Sequence, residues 1–191
     1  FDSVAKGYEE TVKQCGKIDI VISGAAGNFV APALGMSSNG FKTVVDIDLN
    51  GTFHVCRAAY AHVRKPQACM LNISAVQAFM PVPGQAHVCA AKAGVEALTK
   101  VLAIEWGPQG IRVNAIAPGP VEGTEGMARL TPTAKHKARF LQAIPLRRYA
   151  ELDEIADSLN TRPRKTLDWR TPLEVYAEVL KKSVAGPSAL Q

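Results

Sequence analysis

Apolar positions along this chain alternate between two periods. From the first residues, Val4, Tyr8, Val12 and Cys15 recur every three or four positions, which predicts one face of a helix, closed by Gly16 and Lys17. The segment IDIVIS comes next, and Ile18, Ile20, Val21 and Ile22 make a short apolar run that predicts a buried strand. A loop rich in Ala, Pro, Gly and Ser leads to Ser38 and Asn39, a predicted N-cap, and then to a helix over about 40–64 that Pro66 ends. ACMLNI, residues 68–73, predicts a second strand, with Ser74, Ala75 and Val76 in the loop after it. Val88, Ala91, Val95, Leu98 and Leu102 then step by three and four, placing Lys92, Glu96 and Lys100 on another face of a helix that stops at Gly107-Pro108. After a turn at Gln109-Gly110, IRVNAIA predicts a third strand suited to cover on both faces, ended by Pro118-Gly119-Pro120.

The order strand, helix, strand, helix, strand, with connections long enough to cross over, predicts a parallel, doubly wound α/β sheet. In such sheets ligands bind in loops at the carboxyl ends of the strands. Three loops stand at such ends, and the one after the first strand is built of small residues. Gly24, Ala25, Ala26 and Gly27 would let a ring or a phosphate come close to the backbone, and they serve equally well as a plain strand-to-loop turn. In the long helix Asp46 and Asp48 stand two positions apart and so point to different faces: two ordinary surface acids, or one solvated and one turned inward.

With 191 residues, 47% of them hydrophobic, the chain can bury the core of one domain, with or without an appendage. No run of about 18 apolar residues is present for a membrane span, and the first residues have neither the basic start nor the apolar centre of a signal peptide, so a cytoplasmic protein is expected. Cys15, Cys56, Cys69 and Cys89 include no C-x-x-C pair and fall in predicted elements, so free, mostly buried thiols are expected and no metal site. The net charge of +5 is uneven: residues 1–158 hold 16 basic and 14 acidic side chains, residues 159–191 hold 6 and 3. The chain opens on Phe1 inside a helical pattern, which suggests a cut within an element.

GKIDIVISGAAGNF, the helix segment DIDLNGTF, the strand LNISA and the stretch HVCAAKAGVEALTKVLAIEWGPQGIRVNAIAPGPVEGTEG together resemble the short-chain dehydrogenase/reductase family. Within it they resemble the peroxisomal-type 2,4-dienoyl-CoA reductases and their bacterial relatives. The likeness covers residues 1–155. It implies a partial Rossmann-like doubly wound parallel sheet that lacks its N-terminal β-α-β unit, with the Gly-rich turn found there, and its final strand. It also implies a cofactor, NADP(H) with NAD(H) as the alternative. Gly24, Ala25, Ala26 and Gly27 match the segment beside the adenosine half of that cofactor, Lys92 the lysine that holds the nicotinamide ribose, and Pro118, Gly119, Val121 and Thr124 the loop along the nicotinamide and phosphates. Asn28, Phe29 and Val30 match a loop beside the acyl substrate, and the family's serine falls on Ala75 or, one residue off, on Ser74.

One departure carries most of the functional reading. Four residues before the lysine most relatives have a tyrosine that donates a proton, and Val88 stands there; where typical members have Asn in the long helix, this chain has Asp48. This combination resembles the peroxisomal-type subgroup, which implies catalysis by Asp48 and Lys92, with Glu96 as a second acid or as an ordinary i,i+4 partner of Lys92. The implied reaction is NADPH-dependent reduction of a 2,4-dienoyl-CoA in fatty acid oxidation. The implied partners are an acyl-CoA and further copies of the chain, as a dimer or tetramer built on helix faces with Ala58, Ala59, Ala97 and Val101, and no membrane.

Residues 156–191 resemble instead the C-terminal end of insertion-sequence transposases with an integrase-type core, through LNTRPRKTLDWRTPLEVYAEVL. Arg162, Arg164, Lys165 and Arg170 there would touch phosphates or form a solvated tail. Two further readings stay open on the sequence: an inactive fusion or pseudogene product, and a nucleic-acid-binding remnant acting through the basic tail.

Overall fold

The structure, a computed structural model, describes residues 1–154 and 157; the transposase-like run lies outside the described residues. The chain divides into two compact units, Phe1–Gly119 with Ala128–Pro132, and Pro120–Met127 with the chain from Thr133 on.

The first unit holds a three-stranded parallel sheet in the order β1 (Ile20–Ser23), β2 (Cys69–Ile73), β3 (Arg112–Ile116). Its helices are α1 (Asp2–Cys15), α2 (Ser38–Val45), α3 (Gly51–Ala59) and α4 (Ala86–Trp106). Each pair of strands is joined through helix, as two parallel neighbours require. The predicted α/β architecture is therefore the one observed.

One face of the sheet makes the core. Val21, Met70 and Val113 share a register row, and all three are buried in one cluster with Cys56, Ala59 and Leu102 from the helices and Val63 from the segment after α3. On the other face Ile20 and Ile22 remain 65% and 64% exposed, and Arg112 and Asn114 are exposed as well. Cover on both faces, expected for the strand runs, is thus not found among the described residues. The apolar run of β1 splits by the period-2 alternation of any strand.

The long helix also departs from expectation. Its N-cap is Ser37, whose Oγ accepts the Gly40 N–H at 3.0 Å, and regular helix ends at Ala59. Beyond it Ile18 donates to the His62 carbonyl and Arg64 to that of Ile18, so 60–64 turns back as a bridge beside β1. Between α2 and α3, Asp46–Asn50 forms a π turn, a wider coil that carries one residue more than an α turn and shifts the phase of α3 against α2. Ala58 and Ala59 are buried inside the chain and cannot form part of an outer face; Ala97 and Val101 are exposed.

A polar thread runs through the core. The Cys56 thiol donates to Asn72 Oδ1 (3.3 Å), Asn72 Nδ2 donates to Thr99 Oγ1 (2.9 Å), and Thr99 donates to the Val95 carbonyl (2.7 Å), so α3, β2 and α4 are tied at one level. Burial pushes the Cys56 thiol up to about 11, with Asn72 pulling the other way. All four cysteines are free, but only Cys56 is buried and Cys15 is exposed, so mostly buried thiols were too broad an expectation.

Thr124 Oγ1 accepts the Met127 N–H in the first turn of α5 (Glu125–Leu130), and in the second unit Thr133 Oγ1 caps α6 (Ala134–Ala143) by accepting the His136 N–H. Val121 bridges Ala150, and Arg148 grips Glu154 with two nitrogens at 2.7 and 2.6 Å. That pairing holds the Glu154 carboxyl down at about 2.

Candidate active site

Where β1 and β2 end, a buried ion pair gathers three elements. The π turn carries Asp48, which is fully buried, while Asp46 faces solvent, paired with Lys42 and Asn50. One acid inward and one outward is the second of the two arrangements the spacing allowed. Asp48 Oδ1 accepts the Gly27 N–H at 2.7 Å, and Oδ2 lies 3.2 Å from Lys92 Nζ. That second approach has the distance of an ion pair without the alignment of a hydrogen bond, so Oδ2 keeps an unused acceptor position. Lys92 Nζ also donates to the Ile73 carbonyl at 2.9 Å, the last residue of β2.

Helical periodicity put Lys92 on a polar face, yet it is only 5% exposed. The reason lies two residues on. A Cβ on Gly94 would stand 2.8 Å from Leu49 Cδ2, so the small residue there lets the π turn press closely on α4 with Leu49 undisturbed, and the acid beside Leu49 meets the lysine. Gly27 acts similarly: its backbone closes on the carboxylate, and a Cβ would stand 3.3 Å from Ile47 Cδ1. Glu96, one turn beyond Lys92, is half-buried and takes no part in the bonds of that ammonium, which go to Asp48 and Ile73.

The remaining site residues fall into three groups. Gly24, Ala25 and Ala26 come after β1 with exposed, side-chain-poor backbone. Asn28, Phe29 and Val30 continue that loop: the Phe29 ring packs at 84° on His87, 4.3 Å between centroids, and Ala31 donates to the Gly84 carbonyl. Ser74, after β2, is buried, and its N–H donates to the Ile116 carbonyl at the end of β3. Pro118 and Gly119 lie just past β3 in the first unit, and Val121 and Thr124 belong to the second.

Among the described residues, Asn28 Oδ1, Asp48 Oδ2, Ser74 Oγ and His87 Nε2 are buried side-chain atoms of the first unit without a hydrogen-bond partner. Such atoms are rare in folded proteins, and here they come from the loops after β1 and β2, the π turn and the start of α4. A cavity of about 390 Å³ lined by Ala33, Met36, Ser37, Ser38, Phe41 and Ala86 adjoins in sequence both Phe29's loop and His87.

Sequence reasoning passed over His87. It is 0% exposed, and burial pushes its imidazole below the usual histidine range, against the pull of the Gln85 and Phe29 carbonyls and the Asp48 carboxylate. The signal available was a histidine next to Val88, at the start of an otherwise apolar helix face.

A family profile described as enoyl-(acyl carrier protein) reductase matches residues 1–160. The chain belongs to the short-chain dehydrogenase/reductase family. Within this family it is 48% identical over 158 residues to a peroxisomal 2,4-dienoyl-CoA reductase, (3E)-enoyl-CoA-producing, of Saccharomyces cerevisiae, covering 83% of this chain and 54% of that protein. A probable 2,4-dienoyl-CoA reductase, (2E)-enoyl-CoA-producing, of Bacillus subtilis is 46% identical over 159 residues, 81% of this chain and 63% of that one. The chain thus spans between half and two thirds of the length of these relatives. The crystal structure of a gluconate 5-dehydrogenase from Burkholderia cenocepacia in complex with NADP and tartrate superposes with a TM-score of 0.74 at 26% identity, covering 82% of this chain and 62% of that one. Among the described residues no helix is long and apolar enough to cross a membrane, and no cluster of His, Cys, Asp and Glu could hold a metal ion.

Proposed function

We propose that this chain carries the active site of a nicotinamide-dependent reductase acting on 2,4-dienoyl-CoA thioesters. The observation that supports it best is the buried Asp48–Lys92 pair beside Val88: an acid and a cation are set where a tyrosine would otherwise supply the proton. Without a hydroxyl at Val88, reduction of a conjugated carbon chain suits the site better than reduction of a ketone, which needs a proton donor at the carbonyl oxygen.

The residues present fit a nicotinamide dinucleotide, which supplies hydride when bound. Gly24, Ala25 and Ala26 offer exposed backbone with no side chain beyond a Cβ, and Gly27, Pro118 and Gly119 of the same unit would complete that side of the cofactor. Lys92 would hold the ribose hydroxyls with an ammonium already fixed by Asp48 and Ile73. We take NADP(H) as the cofactor, since a structural neighbour binds NADP. Asn28, Phe29, Val30 and Ser74 would line the acyl thioester, with the cavity at Ser37 and Phe41 receiving its tail. Asp48 Oδ2, with its unused acceptor position, would accept one O–H of a water and so orient it, the water's other proton going to the substrate carbon and the hydroxide left behind being reprotonated from solvent. Glu96, half-buried one turn beyond Lys92 and not bonded to it, would be a second acid.

The reductase part is taken as residues 1–155, with 156–191 as a transposase-like appendage. Exposed Ala97, Val101 and Ile104 on α4 suit contact with a second copy. The reading is tested by following oxidation of NADPH with a 2,4-dienoyl-CoA by the whole protein that carries this chain, beside the Asp48→Asn variant. Turnover that falls about 100-fold in the variant is expected, the usual scale for a lost acid–base group. No turnover by the unaltered protein, or an unchanged rate in the variant, overturns it.

A further inference from the structure

His87 is a fully buried imidazole one residue before the position of the missing tyrosine, and its two nitrogens are used differently. Nδ1 accepts the Val88 N–H at 2.7 Å. Val88 lies in the first turn of α4, where backbone N–H groups have no partner within the helix, so the ring caps one of them. A nitrogen that accepts a backbone N–H cannot itself carry a proton. The neutral ring is therefore the Nε2–H tautomer.

The surroundings favour that neutral form. The positive end of the α4 dipole and the loss of solvent oppose an imidazolium and outweigh the pull of the Gln85 and Phe29 carbonyls and the Asp48 carboxylate toward it, the arrangement by which other enzymes keep a histidine as an uncharged donor. Nε2, across the ring from the capping nitrogen, has no partner among the described residues. It belongs to the same set of unpartnered buried atoms as Asp48 Oδ2, Ser74 Oγ and Asn28 Oδ1. Phe29, which packs on the ring, is 39% exposed, so the cover over His87 includes a side chain that solvent already reaches.

We propose that His87 is held as an uncharged donor whose Nε2–H bonds the thioester oxygen of the substrate, stabilising the negative charge that builds there during reduction. The role rests on the reductase reading above and adds a catalytic residue to it. Asp48 serves the proton that goes to carbon, and His87 the oxygen. The two tasks that a single tyrosine could combine are divided between an acid on the π turn and an imidazole at the start of α4. No proton leaves His87 in this scheme, so the ring needs no reprotonation between turnovers.

Two measurements test it. In the uniformly ¹⁵N-labelled whole protein, long-range ¹H–¹⁵N correlations of the imidazole at pH 7 should show Nε2 protonated and Nδ1 bare, assigned by loss of the signals in His87→Phe. Protonation at Nδ1 overturns the proposal whatever the activity. In the dienoyl-CoA assay, His87→Phe should lose about 100-fold in kcat with KM changed less than about threefold, as for removal of one oxyanion donor. His87→Gln, which keeps a side-chain N–H and guards against a folding defect in the Phe variant, should recover part of the loss. Equal rates for unaltered protein and both variants, or a change in KM alone, sinks the proposal while leaving the reductase reading intact. Absence of turnover in the unaltered protein sinks the reductase reading instead, and the tautomer then decides the geometry alone.

Discussion

A histidine that burial keeps uncharged makes stability depend on pH. His87 has its folded value below the 6.5 of a free imidazole, so below about pH 6.5 the unfolded chain binds a proton that the folded chain refuses. The stability it contributes is present above pH 6.5 and is lost as pH falls toward the folded value. Thermal unfolding from pH 7.5 to 5.5 should therefore show a steeper fall in Tm for the unaltered protein than for His87→Phe, and parallel slopes would contradict the assignment. Of the site, Asp48 was singled out by resemblance, while the i, i+2 spacing of the two acids left open whether either turned inward, and one does. Lys92 was legible by resemblance but its burial was not, since helical spacing counts Cβ directions and not how closely a neighbouring segment presses. His87 was missed because a buried imidazole and a surface one look alike in sequence.

At the scale of elements, two glycines do what no pattern announces. Gly110 has φ +75°, and a Cβ there would stand 2.4 Å from Pro66 Cβ and 2.8 Å from its Cα, while its carbonyl accepts the Gln67 N–H. Gly110→Ala should therefore cost about 2 kcal/mol or more, from strain plus collision, read as a drop in the urea midpoint. Gly94 differs, because what a Cβ would meet is the end of the Leu49 side chain. Gly94→Ala gains about 1 kcal/mol of helix propensity against a yielding neighbour, whereas Gly94→Val should destabilise by about 1–3 kcal/mol and loosen the approach of the π turn to α4. A Val variant as stable as the parent would refute the tight approach. The three strands and the helices α1 to α4 were legible from their two periods, apart from the end of α3, and the π turn was not: an extra residue in a helix leaves hydrophobic spacing nearly unchanged over five positions.

For the molecule as a whole, the sheet of the first unit is the informative surface. Ile20 and Ile22 stand exposed on the face opposite the helices, an apolar feature of the sort that marks contact or association. Replacing both by Thr should lower binding of a hydrophobic dye and weaken concentration-dependent association, with under about 1 kcal/mol lost in stability, because neither side chain is in the core. The sequence pattern predicted apolar runs there but could not say which face is covered, since a continuous run is read as buried on both sides. The Asp48–Lys92 pair binds the π turn, the end of β2 and α4 into one body. Removing one charge leaves the other buried and alone, at a cost of about 3–5 kcal/mol, whereas replacing both by apolar residues of like size costs far less. Lys92→Met should thus unfold at lower temperature than Lys92→Met with Asp48→Leu. A copy of this gene released from any demand for turnover would consequently still be held to both residues by the need to fold, so their persistence in a lineage records foldedness before it records a working enzyme.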